Sequence, residues 1–142
     1  MPRLARVLLL CLALTACEQS SEDRYKEELP PIDRGLVALS DDVGEELRRA
    51  DDATLAQRFA LYARRLGRLR DRLDELEPPD GLVGDHQRVL AAIGAVRGEL
   101  ADVAAAAQRG DAGAAGTAAT GLVRAGARLD QARAGLAREV GR

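Results

Sequence analysis

Few side chains in this 142-residue chain could do chemistry, and none is grouped for it. A transition-metal or haem site needs clustered His, Cys or carboxylate donors, and the chain offers one histidine, His86, with no second histidine or nearby thiol. The carboxylate pairs Asp41-Asp42, Glu45-Glu46 and Asp51-Asp52 could attract Ca²⁺, but no Asp-x-Asp-x-Asp-Gly loop with a closing Glu surrounds them, and their positions near helix ends suit capping and solvation. Ser20, Ser21 and Ser40 have no partner histidine in a recognisable motif, so a serine nucleophile would lack its base. The glycine-rich residues 110 to 121 lack the Gly-Lys-Ser/Thr ending of a phosphate loop. Gly94-Ala95-Val96-Arg97-Gly98 has the spacing of a membrane-helix dimer motif but contains Arg97 and lies in no long apolar run. His86, four residues after Leu82 and three before Val89, reads as a packed or boundary histidine on a helical stripe. The expectation is a chain that is not an enzyme and uses no cofactor and no metal.

The thiols point elsewhere. Arg3 and Arg6 precede an apolar run from Val7 to Leu14 that is too short to span a bilayer core of about 30 Å, and small residues follow it, which is the pattern of a signal peptide. Leu14-Thr15-Ala16-Cys17 resembles the lipobox of bacterial lipoproteins. The resemblance implies that residues 1–16 are a signal peptide removed by cleavage, and that Cys17 becomes a lipidated N-terminus carrying acyl chains such as palmitate. The alternatives are an ordinary secretory signal cut near Ala16, or a misassigned start site with a buried apolar helix. Lipidation would consume Cys17, and Cys11 would leave with the signal, so no disulfide is expected. Loss of Arg3 and Arg6 leaves 19 basic against 23 acidic side chains, so the anchor would be the lipid and not a polybasic surface. The expected location is the cell membrane, lipid-anchored on its extracytoplasmic side.

Phe59, Tyr25 and Tyr62 are the only aromatic rings besides His86, and Ala and Leu are abundant, so the composition favours helices over sheets. Glu18 to Glu28 is polar and Pro30-Pro31 follows, which reads as a lipidated Cys and flexible tether over 17–31. From there, 32–142 reads as one helical bundle domain. Its first helix carries Ile32, Leu36, Leu39, Val43 and Leu47. The second carries Leu55, Phe59, Tyr62, Leu66, Leu69, Leu73 and Leu76 at unbroken 4,3 spacing, the repeat of a bundle seam. Asp51 and Asp52 are its candidate caps, and Pro78-Pro79 stops it. A third stripe runs through Leu82, His86, Val89, Leu90, Ile93, Val96, Leu100 and Val103. Arg109-Gly110-Asp111 predicts a helix end and a new N-cap. The fourth stripe, Ala115, Ala119, Leu122, Gly126, Leu129, Ala132, Leu136 and Val140, is rich in small residues, which would let that helix lean on the leucine seam of the second or third. The fold class expected is all-α: an antiparallel up-down bundle of three long helices plus a shorter N-terminal one. The segment Leu76-Glu77-Pro78-Pro79-Asp80-Gly81-Leu82 with His86 and Leu90 is similar to a helix-hairpin pattern in uncharacterised extracytoplasmic proteins of high-GC bacteria, a resemblance that implies helices and no particular activity.

Residues 18 to 52 hold 12 acidic and 5 basic groups, whereas residues 53 to 77 hold 6 basic and 4 acidic, so the first helix should lie beside the second. Arg58, Arg65 and Arg72 recur every seven residues, with Arg64 and Arg68 nearby, and form the candidate interaction surface. A net charge of −2 gives no argument for nucleic acid. The function expected is non-enzymatic binding or scaffolding at the membrane, with a protein partner of unspecified identity. The alternative is a carrier of an apolar small molecule in a cavity bounded by Leu69, Leu73, Leu100 and Leu122.

Overall fold

The computed structural model describes residues 3–49 and 52–141, with side-chain surroundings for 21–49 and 54–141. Regular structure there is entirely helical: α1 (Arg3–Arg49), α2 (Asp52–Asp74), a 3₁₀ turn (Asp80–Leu82), α3 (Val83–Arg109) and α4 (Ala112–Val140). Each helix packs on the next in chain order, and α1 and α4 touch only sparsely. The all-α expectation is met.

The leucine seam of α2 faces inward as its spacing predicts: Phe59, Leu66, Leu73 and Leu76 are buried, and Leu55, Tyr62 and Leu69 pack on the same core. Phe59 and Tyr62 meet edge-on with centroids 5.9 Å apart, the arrangement their ring quadrupoles favour. The α3–α4 joint also forms as its residues predict. Gly110 takes φ 66°, which a residue with a Cβ rarely adopts. Its N–H donates to the Ala107 carbonyl, the Asp111 N–H donates to Ala106, and the Asp111 carboxylate caps α4 by accepting from the Ala114 N–H at 2.9 Å. Asp51 lies outside the described residues, as does the side chain of Asp52.

α1 departs from expectation. It does not begin at Ile32 as the shorter helix after a flexible tether; it is a 47-residue helix that runs through Pro30 and Pro31, and it is the longest element described. Tyr25 is fully buried and Leu29 nearly so, extending the stripe Ile32, Leu36, Leu39, Val43 upstream at the same 4,3 period. The two prolines remove donors for the carbonyls of Lys26 and Glu27 and crowd the preceding turn, so they oppose the helix locally. Burial on both sides of them opposes that cost, because Leu29 and Ile32 stay on one inward face.

α4 differs in register. Ala118, Leu122, Ala125, Leu129 and Leu136 are buried, so Ala118 and Ala125 take the inward positions assigned to Ala119 and Gly126. With side chains this small the apolar stripe is too faint to fix the face; only the leucines mark it. As expected, α4 leans on α3, and the Glu99 carboxylate of α3 folds over Gly121, where a Cβ would meet it.

Replacing Tyr25 by Ala should destabilise the protein by about 3–5 kcal/mol in urea unfolding, the range for deleting a buried ring, whereas a tether residue would show no change.

Candidate functional site

Arg58, Arg65 and Arg72 lie along the side of α2 that faces α1, and each is engaged by an α1 carboxylate. The Arg58 guanidinium donates twice to Glu46 (3.0 and 2.7 Å), Arg65 donates to Asp42 at 2.9 Å, and Arg72 reaches Glu28 at 3.5 Å. Glu46 is the one buried carboxylate among the described residues. Its desolvation is offset by Arg58, whose Nη1 donates to both carboxylate oxygens. The expectation that the acidic first helix lies beside the basic second is met, and the arginine flank is largely spent on that seam.

On the other side of α1 the packing opens. A cleft runs between α1 and α4 and widens into two chambers. The first, about 310 Å³, is walled by Leu36, Leu39, Val43 and Gly44 on α1 and Leu122 and Gly126 on α4, with Leu66 and Leu100 at its back. The second, about 260 Å³, is walled by Leu29, Pro30 and Ile32 against Leu136, Ala137 and Val140, with Leu73 and Val89 behind. Leu36 lines both chambers. Beside it the Arg133 guanidinium, only 15% exposed, crosses from α4 to donate to Asp33 at 2.7 Å and also donates to Asp130 at 3.1 Å. Burial works against the Arg133 charge, and the two carboxylates more than offset it, so its pKa is raised. The crossing pair ties α1 to α4 where few apolar contacts do.

Of the four leucines expected to bound a cavity, Leu100 and Leu122 line the first chamber and Leu73 the second. Leu69 does not line either chamber and packs over Gly35, where a Cβ would come within 2.9 Å of it. The opening therefore lies between α4 and α1, not between α4 and the α2 seam. Nothing in the sequence marks Asp33 and Arg133, 100 residues apart, as partners. Gly126 turns from the core to the cleft wall, the counterpart of the register difference in α4.

The end of the bundle below the second chamber is closed by a polar pair. The Tyr25 hydroxyl and His86 Nδ1 are 3.0 Å apart and the rings 5.7 Å, with both residues buried. With the ring proton on Nε2, the phenol O–H donates to Nδ1. Burial, with Asp85 nearby, pushes the Tyr25 phenol up to about 12, and burial lowers the His86 pKa, opposed by Asp74. His86 is thus a packed core histidine held neutral, not a base facing a nucleophile.

Cys17 falls within the backbone range of α1, and its side chain lies outside the described residues. Among the described residues no three His, Cys, Asp or Glu side chains converge as metal ligands, and no helix is long and apolar enough to cross a membrane. No protein-family model matches the chain, and no curated protein or solved structure is found to be similar to it. The functional reading therefore rests on the chain's own residues.

Because the folded state lowers the His86 pKa, the unfolded chain binds the extra proton first, and stability should fall as pH drops below about 6.5. His86→Gln keeps an acceptor for Tyr25 but does not titrate. The stability gap between wild type and this variant should narrow from pH 7.5 to 5.5 in paired urea titrations; a constant gap would show that His86 does not couple to folding.

Proposed function

We propose that the chain is a non-enzymatic, lipid-anchored helical binding module at the extracytoplasmic face of the cell membrane, tethered through Cys17, and that it takes an apolar small molecule of narrow, alkyl-like shape in the α1–α4 cleft. The observation that carries this reading is the cleft. Its walls are mostly aliphatic, each chamber approaches the size of a small-ligand pocket, and from Leu29 to Leu47 α1 spans about 27 Å, a long and narrow site. The charged residues that line it, Asp33, Asp130 and Arg133, are paired with one another, so the site offers a polar ligand no unpaired charge. Scaffolding through Arg58, Arg65 and Arg72 has less support, because α1 already holds those three guanidinium groups.

The helices in this reading run up and down as an antiparallel bundle. Support comes from the order of the α1–α2 ion pairs, in which partners descend along α2 as they ascend along α1, and from the short joints on either side of α3. The lipobox-like residues Leu14 to Cys17 support the anchor.

Neither Gly44 nor Gly126 has an atom within 4 Å of where a Cβ would stand, so Gly44→Leu with Gly126→Leu should fill the first chamber from both walls. Helicity and Tm should be kept, leucine being the better helix former. Binding of the apolar fluorophore N-phenyl-1-naphthylamine should weaken by at least about tenfold, roughly 1.4 kcal/mol. Unchanged affinity would reject the cleft as the site. For the anchor, Cys17→Ser should abolish incorporation of radiolabelled palmitate and release the chain from the membrane fraction; retained label would place the lipid elsewhere.

A further inference from the structure

On the side of the bundle opposite the cleft, α2 and α3 enclose a shallow depression of about 400 Å³ lined by Ala63, Arg64, Arg70, Gly94, Arg97, Gly98 and Ala101. Three of its seven lining residues are arginines and none is a carboxylate. Among the described residues no carboxylate pairs with Arg64 or Arg97, and Arg70 has only loose approaches to Asp71 and Asp74 at 3.8 and 3.9 Å. This contrasts with Arg58, Arg65, Arg72 and Arg133, each held by a carboxylate on another element or turn. The three side chains also converge on one depression. Arg64 and Arg70 flank Gly67 at three-residue spacing on either side, and the Arg97 guanidinium of α3 lies across the middle position, 3.8 Å from where a Gly67 Cβ would stand. Arg97 thus lies over Gly67, between the other two arginines along α2. Below them Gly94 and Gly98 have nothing within 4 Å of a Cβ position, so a ligand can settle against the α3 backbone.

We propose that Arg64, Arg70 and Arg97 form a binding site for a phosphate-bearing anion, independent of the apolar cleft. Three guanidinium groups sharing one depression repel each other when it is empty, and a tetrahedral dianion relieves that repulsion while its oxygens accept from several forks at once. Three arginines in a chain of net charge −2 make a pocket for one phosphate group and not a track for a nucleic-acid backbone. The phosphate belongs to a soluble molecule or to a lipid headgroup. Arg97 stands fourteen residues beyond Val83, about 20 Å along α3, so a headgroup would reach it only with the bundle lying along the membrane.

Arginine modification by phenylglyoxal, read per residue by peptide mass spectrometry, tests this on the full chain reconstituted in phosphatidylcholine vesicles at constant ionic strength. Pyrophosphate at twice its dissociation constant leaves about one third of the sites free, so Arg64, Arg70 and Arg97 should react about threefold more slowly while Arg124 and Arg128 are unchanged. That result identifies a soluble phosphate ligand. Protection without pyrophosphate, but only in vesicles containing phosphatidylglycerol, identifies a headgroup. In either case Arg64→Gln with Arg97→Gln should remove the protection of Arg70. Absence of protection in both arms, or equal protection of Arg124 and Arg128, would overturn the proposal.

Discussion

The fold depends on how α1 is held. Its inward stripe from Tyr25 to Val43 must be kept from water, yet α4 stands away from it, so α2 and the side chains of α3 carry most of that burial. Two polar features supplement the apolar contact: the arginine seam along α2, and the Arg133–Asp33 crossing at the far edge. Exposed pairs contribute at most about 1 kcal/mol each, so the seam sets register more than it stabilises. Glu46 with Arg58 differs because the carboxylate is buried; loss of the arginine would leave it without a counter-charge. The cleft follows directly. A helix held along one edge and pinned at one point on the other leaves openings on either side of the pin.

α2 is the charged hub of the molecule, and five of its six arginines fall into two groups by what they face. Arg58, Arg65 and Arg72 repeat every seven residues and meet α1. Arg64 and Arg70 lie on another face, where α3 brings Arg97 but no acid. The excess of basic over acidic groups in this stretch is therefore not one surface. Arg58, Arg65 and Arg72 are neutralised within the fold, and Arg64 and Arg70 are left for the proposed anion.

Much of this was legible in the residues. The unbroken 4,3 leucine period of α2 and the Arg109-Gly110-Asp111 joint form as read, because strong side-chain contrast and an obligate left-handed glycine leave little choice. Tyr25 and Leu29 continue the same period upstream, but the prolines and the charged residues around them read as a linker; the long-range contact with His86 decides otherwise. The inner face of α4 was legible only at its leucines, since alanine and glycine give too little contrast. The cleft was not legible at all. It arises from a gap between the first and last helices, whose crossing pair joins residues a hundred positions apart, and no local pattern encodes that distance.

A continuous α1 changes the mechanics of the protein. A coil between the N-terminal segment and the bundle would transmit tension only, leaving the two ends free to rotate. A helix continuous from the proposed anchor residue Cys17 to Arg49 is a lever, which also carries torque and bending. Because Leu29 to Leu47 of the same helix form one wall of the cleft, tilting or twisting its N-terminal end displaces that wall relative to α4. The width of the cleft is thus mechanically coupled to the orientation of a segment lying wholly outside it.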